Sequence, residues 1–190
     1  MRRFNKKHIK YVIVFIVCIS ALGLIAGLLP LNQRYERLAQ ITPIINTVAQ
    51  KESMNPSLII AVIRQESDFK ADSVGDAGEI GLMQLTMGAV QDWSRITKNP
   101  MPEKSELFQI ELNIQIGSWY LNRAMSQFKH LSKERQVILA LSQYNAGRSR
   151  ALRWDKNYKK NLLERIPISS TRNYISSVVK YKSHYSQKVN

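Results

Sequence analysis

The chain has 190 residues, a formal net charge of +14 and one cysteine, a length that suits one domain of ordinary size plus a short appendage. A single cysteine excludes an internal disulfide, and His8, His130 and His184 lie too far apart to offer a ligand spacing, so neither a metal nor another cofactor is expected. The positive charge sits at the two ends: residues 11–146 hold twelve basic and twelve acidic side chains, whereas from Gly147 onward eleven basic residues face only Asp155 and Glu164.

Arg2, Arg3, Lys6, Lys7 and Lys10 precede Tyr11–Leu29, a run of nineteen residues without a charge. As a helix it would be roughly 28 Å long, enough for a bilayer core. A cleaved signal usually has a shorter apolar region and a small-residue exit, so residues 1–30 are expected to be an uncleaved transmembrane signal anchor. The basic residues should stay cytoplasmic, which puts everything after Pro30 on the extracytoplasmic side of the membrane. Cys18 lies inside the apolar span. Residues 31–44 read as a linker. An apolar stripe of Ile41, Ile44, Ile45, Val48 and Ala49, interrupted by Pro43, then leads into a domain expected over 45–185, with 186–190 as a tail.

Asn55-Pro56 is a helix start, a capping side chain followed by a proline whose missing N–H costs nothing there. Ile59, Val62 and Ile63 share a face that Glu66 continues, just where the helix runs out. A carboxyl on an apolar stripe holds its proton above the free value, and a protonated acid is what cleavage of a glycosidic bond needs. A helix-end glutamate that curls out to solvent is the other reading, and periodicity leaves both open. Residues 67–80 form a polar loop with Gly75 and Gly78, long enough to be functional. Thr86 is placed to cap a helix carrying Val90, Trp93 and Ile96 inward.

Asn99-Pro100-Met101-Pro102 breaks the chain. From Ser105 a long run, apolar nearly all round, predicts a central helix reaching Phe128. Gly117 within it points to a close helix crossing. Ser132 caps the next helix, which ends at Gly147 after Tyr144. A last helix after Ser169–Thr171 puts Tyr174, Val178, Tyr181 and Tyr185 on one face. No strand alternation interrupts the pattern, so the class is all-α, one compact domain. The basic C-terminal part, interleaved with aromatics, reads as a solvated face rather than a nucleic-acid site; extracytoplasmic carboxylates or anionic lipids are its expected opposite charges.

Sugar sites need aromatic surfaces and amide hydrogen bonders, and Gln84, Tyr144, Asn145 and Tyr120 are of that kind, although Tyr120 also reads as core. Four segments carry a resemblance: Glu66-Ser67-x-Phe69 with Gly81-Leu82-Met83-Gln84; Asn113-Ile114-x-x-Gly117-x-x-Tyr120-Leu121; Ala140-x-x-x-Tyr144-Asn145-Ala146-Gly147; and Ile166-Pro167-x-x-x-Thr171-Arg172-x-Tyr174-Ile175. In this order and spacing the chain resembles the bacterial lytic transglycosylases of the soluble type, the goose-lysozyme-like glycoside hydrolase family 23, over roughly residues 45–185. The resemblance implies a lysozyme-like helical domain that cleaves the β-1,4 bond between N-acetylmuramic acid and N-acetylglucosamine in peptidoglycan. It implies Glu66 as the single acid and base, with Met83, Gln84, Tyr144 and Asn145 as substrate-binding positions. The product would be a 1,6-anhydromuramic end, made without water or a second carboxylate.

The chain departs from the family's common pattern at four places. Lys70-Ala71 stands where Asn-Pro is common, Gly75 where a carboxyl-orienting Ser is common (Ser73 being a near substitute), Thr86 where Met is frequent, and Ser170 where a Glu is usual. Two further readings stay open. A muramidase using water would have Asp76 or Glu79 to activate it, and a catalytically silent wall-binding module would keep the fold alone. Expected partners are glycan strands, the membrane through the N-terminal helix, and wall-remodelling or secretion machinery, with no nucleic acid.

Overall fold

Helix α1 (Lys6–Lys51) is followed by α2 (Pro56–Ser67), α3 (Met87–Thr97), a 3₁₀ turn (Glu106–Phe108), α4 (Ile110–Gln127), α5 (Lys133–Ala146), α6 (Arg148–Asn157), α7 (Leu162–Arg165) and α8 (Ser169–Ser186). The computed structural model from which these are read describes residues 6–157 and 161–187; before residue 31 it gives the side chains of residues 15, 17, 19 and 20 alone. Among the described residues extended pairing is limited to isolated bridges, Val74 with Ile80 and Ile80 with Leu85. The class is all-α, as the periodicities predict.

The chain divides into two units, Met1–Gln40 and Ile41–Asn190. The first is helical. The apolar span Tyr11–Leu29 falls on α1, and its side chains lie almost wholly outside the described residues. Among the described residues no helix is long and apolar enough to cross a membrane. Residues 31–44, expected as a linker, are helical as well, and both Pro30 and Pro43 lie inside α1. Proline removes one helix N–H. At Pro43 the loss falls on a wet face, because Ala39, whose carbonyl is left without that bond, and Pro43 are both exposed.

The second unit starts where the stripe Ile41, Ile45, Val48 and Ala49 becomes buried. Asn55 caps α2 as its sequence predicts, its side chain accepting the Ser57 N–H at 2.8 Å. The helix is buried more completely than a one-faced stripe implies: every residue from Leu58 to Ile63 is at most 3% exposed. Each aliphatic side chain among them contributes about 2 kcal/mol relative to exposure, so α2 is a central element of the core. It packs along α8, whose Tyr174, Ile175, Val178 and Tyr185 are buried.

Thr86 caps α3, accepting the Ala89 N–H at 3.2 Å, and Ser132 caps α5, accepting that of Arg135 at 3.4 Å. Gly147 ends α5 at φ 90°, which glycine adopts without strain. The long apolar run does not begin its helix at Ser105. Leu107 is held in the 3₁₀ turn because its carbonyl accepts from Asn113 Nδ2 at 2.7 Å, and α4 starts at Ile110. Gly117 does not mark the expected helix crossing. Instead a Cβ there would lie 2.7 Å from Met83 Cβ, so the glycine admits a loop side chain. The short helices α6 and α7 carry no expectation from periodicity. α6 is tied to α5 by Arg135, whose Nη2 reaches Asp155 Oδ1 at 2.8 Å with both side chains mostly buried.

Candidate active site

The end of α2 sets the position of Glu66. Asp68 and Phe69 both take left-handed φ values, 52° and 63°, which turns the chain sharply away from the helix axis. The turn is held by burial of Phe69, 2% exposed and edge-on to Tyr185 at 6.3 Å between ring centroids. Arg64 pairs with Asp68 across the last turn. Glu66 therefore stands at a helix end that cannot fray without exposing a core aromatic.

The loop that follows is fastened by side chains from three helices. Ser67 Oγ donates to the Leu82 carbonyl at 2.9 Å. Asn113, 1% exposed on α4, accepts the Met83 N–H at 2.8 Å and donates to the carbonyls of Ile80 (3.0 Å) and Leu107 (2.7 Å). Tyr144 on α5 donates its hydroxyl to the Met83 carbonyl at 2.8 Å. Close packing at Gly81, where a Cβ would lie 2.9 Å from the Leu107 carbonyl, leaves that glycine no substitute. Gln84 follows at φ 46°, its Nε2 donating to the carbonyls of Gly81 (2.9 Å) and Ser73 (3.3 Å).

Beside these anchors lies an open cleft of about 390 Å³, lined by Glu66, Gln84, Tyr144 and Asn145 together with Asp76, Ala77, Glu79 and Thr86. Tyr174 of α8 donates its hydroxyl to Glu66 Oε1 at 2.6 Å, and among the described residues it is the carboxyl's one hydrogen-bond partner. Burial raises the Glu66 pKa to about 7, the Tyr174 bond works against that rise, and the charge of Glu79 adds to it. Burial also raises Tyr144 and Tyr174 well above the ordinary tyrosine value, with the negative charge of Glu66 adding to both. The neutral phenols are donors here. A carboxyl poised near neutral pH can both give and take a proton.

Residues 43–166 match the family described as the Transglycosylase SLT domain, which is more than half of the chain. The chain belongs to the SLT transglycosylase family. A soluble lytic murein transglycosylase of Salmonella typhimurium is 30% identical over 140 residues, covering 70% of this chain and 21% of that protein. Membrane-bound lytic murein transglycosylase F of Desulfosudis oleivorans is 30% identical over 150 residues, covering 74% and 31%. Among solved structures, the 70-kDa soluble lytic transglycosylase of Escherichia coli superposes with a TM-score of 0.71 at 27% identity, covering 78% of this chain and 24% of that one. An inactive mutant of the lytic transglycosylase Slt from Pseudomonas aeruginosa gives 0.70 at 33%, again covering 78% of this chain and 24% of that one. The chain thus spans between a fifth and a third of the length of these proteins.

Within this SLT domain the cleft brings together Glu66, Gln84, Tyr144 and Asn145 from the sequence-derived set. Asn145 is exposed, and its Oδ1 accepts from Thr171 at 2.8 Å, which leaves the amide N–H groups facing outward. Met83 departs from expectation. It is 0% exposed, packed against Gly117 with Sδ 3.8 Å from Ser118 Oγ, so it supports the cleft floor and offers a substrate nothing. Tyr120 is half-buried and edge-on to Tyr144 at 6.0 Å, and it is not among the residues that line the cleft. Ser73 contributes its carbonyl to Gln84 and makes no bond to Glu66. Ser170 is exposed at the start of α8. Sequence reasoning puts Tyr174 on an inward face and in a motif, but not at the carboxyl; its place in Thr171-Arg172-x-Tyr174 is the available signal. Asn113 and Ser67 likewise stand in the motifs without a role.

Proposed function

We propose that the protein is a peptidoglycan lytic transglycosylase that uses Glu66 as its single acid and base. Glu66 gives its proton to the glycosidic oxygen between N-acetylmuramic acid and N-acetylglucosamine as the C1–O bond breaks. The muramic 6-hydroxyl then closes onto C1, and its proton returns to the Glu66 carboxylate, which regenerates the enzyme. The observation that carries this reading is the Glu66 carboxyl, raised to about 7 within a cleft and held by Tyr174. Gln84 and the outward amide of Asn145 are the groups suited to sugar hydroxyl and acetamido contacts. The names of the relatives, lytic murein transglycosylases both soluble and membrane-bound, support the same chemistry.

Products decide the matter. Glu66→Gln should lower activity on purified sacculi by at least the 10²–10⁴-fold of general acid catalysis. Wild-type products should be anhydro-muropeptides, one water lighter than those of hydrolysis. A second reading, hydrolysis, has Asp76 and Glu79 in the cleft to activate water; reducing-end muramic acid as the main product would establish it. A Glu66→Gln protein as active as the wild type would sink both enzyme readings, and a wild type that releases nothing from sacculi would leave only a wall-binding role.

The nineteen-residue apolar run without a small-residue exit supports an uncleaved signal anchor, and the basic residues before it support a catalytic domain on the periplasmic side, where its glycan partner lies. Intact mass of membrane-extracted protein tests this. A mature chain beginning near Ala26 or Leu31 would make the segment a cleaved signal.

A further inference from the structure

The loop from Ser73 to Glu79 folds around a missing side chain. The Gly75 N–H donates to the Glu79 carbonyl at 2.8 Å and the Gly78 N–H to the Gly75 carbonyl at 3.0 Å. The Ala77 N–H donates to the Glu79 carboxylate, at Oε2, at 3.1 Å. Gly75 is not among the residues with positive φ, so its contribution is space rather than backbone freedom. A Cβ built on it would lie 2.7 Å from Gln84 Oε1 and would collide with Glu79 Oε2. The Glu79 carboxylate therefore sits where a side chain at position 75 would have to go, beside the Gln84 amide and in the cleft of Glu66.

We propose that Glu79, seated over Gly75, is a positioning residue of the reaction: a fixed second anion that acts on the sugar chemistry through Glu66 and not through a water molecule. This rests on the transglycosylase reading above. The groups that face Glu66 are Tyr174 from α8, Tyr144 from α5 and the loop carboxylates Asp76 and Glu79; at the end of α2, Arg64 pairs with Asp68 just beyond it. Among the loop carboxylates it is Glu79 whose charge opposes ionisation of Glu66. The consequence applies to both half-steps. Before cleavage, the nearby anion keeps Glu66 loaded with the proton the leaving oxygen must receive. After it, the same anion makes the Glu66 carboxylate a stronger base toward the 6-hydroxyl. No atom of Glu79 is transferred and no water is consumed, so the proton balance stays that of a one-carboxyl cycle.

The test is the pH dependence of kcat/KM on soluble glycan strands for the full chain, with product masses measured alongside. In Glu79→Gln the alkaline limb should move to lower pH by about half a unit or more. The double variant Gly75→Ala with Glu79→Ala refills the space with neither a charge nor a hydrogen-bond donor and should show the same displacement, which separates charge from loop packing. Anhydro products with the alkaline limb unmoved in both folded variants would overturn the proposal while leaving the transglycosylase reading intact. Wild-type products ending in reducing muramic acid would instead overturn that reading, whatever the limb does.

Discussion

Replacing Glu66 by Gln should stabilise the protein while disabling it, and the gain should depend on pH. The Glu66 carboxyl titrates near 4.5 in an unfolded chain and at about 7 in the fold, chiefly because burial penalises its charge. The folded state thus holds a proton that the unfolded state releases between those values. Its contribution is fully present below about 4.5 and is lost as pH rises toward 7. The interval from 4.5 to about 7, at about 1.4 kcal/mol per pH unit, amounts to about 3 kcal/mol of stability forgone at pH 8. Gln is neutral throughout and its carbonyl can still accept the Tyr174 hydroxyl. Glu66→Gln should therefore match the wild type near pH 4.5 and exceed it by about 3 kcal/mol at pH 8, a rise in Tm of roughly 6–12 °C for a chain of this size. Thermal and urea unfolding of both proteins at the two pH values is the assay. A gain of equal size at both, or none at pH 8, would show that burial of this carboxyl costs the fold nothing and would refute the account of its raised pKa.

Three other perturbations test the frame around it. Tyr174→Phe removes the hydroxyl donor that favours the ionised carboxyl; a hydrogen bond to a charged group is worth about 1.5–3 kcal/mol, so the alkaline limb of the pH–rate profile should move up by about one unit or more, and an unmoved limb would mean that the contact is only packing. Asn113→Ala strands the Met83 N–H and the carbonyls of Ile80 and Leu107, and should cost about 2–4 kcal/mol in urea unfolding. Gly117→Ala gains helix propensity but drives a methyl to within 2.7 Å of Met83 Cβ; a net loss of about 1–3 kcal/mol with a lower kcat is expected, and a stabilised, fully active variant would contradict the packing described.

Local signals in the sequence carry much of the fold because they act over a few residues. Asn55-Pro56, Thr86, Ser132 and Gly147 each mark a helix end through a bond or a φ value that three or four residues decide. Glu66 is legible for the same reason, as the last member of an apolar face. What cannot be read is contact across the chain. Tyr174 meets Glu66 across 108 positions, and Asn113 reaches Met83 across 30, so nothing in either neighbourhood announces the pairing. Gly117 shows how a correct inference about space can name the wrong neighbour: the close approach is real, but a methionine from the loop makes it. Met83 adjoins Gln84 in the motif, and the family resemblance assigns both to substrate without telling them apart. Successive residues in that turn point in opposite directions, one into the core and one into the cleft.

The floor of the cleft from Gly81 to Leu85 is irregular by backbone geometry, yet Ser67, Asn113 and Tyr144 clamp it to three helices at once. Solvent deuterium should treat it as part of the core. The Met83 amide, bonded to a buried Asn, can exchange only when the junction of α2, α4 and α5 comes apart, so its protection should approach that of the helices and exceed that of the outer turn at Asp76–Gly78. Side chains held in this way stand in place before any ligand arrives, so on the transglycosylase proposal the adjustment on binding falls to the glycan strand and not to this floor.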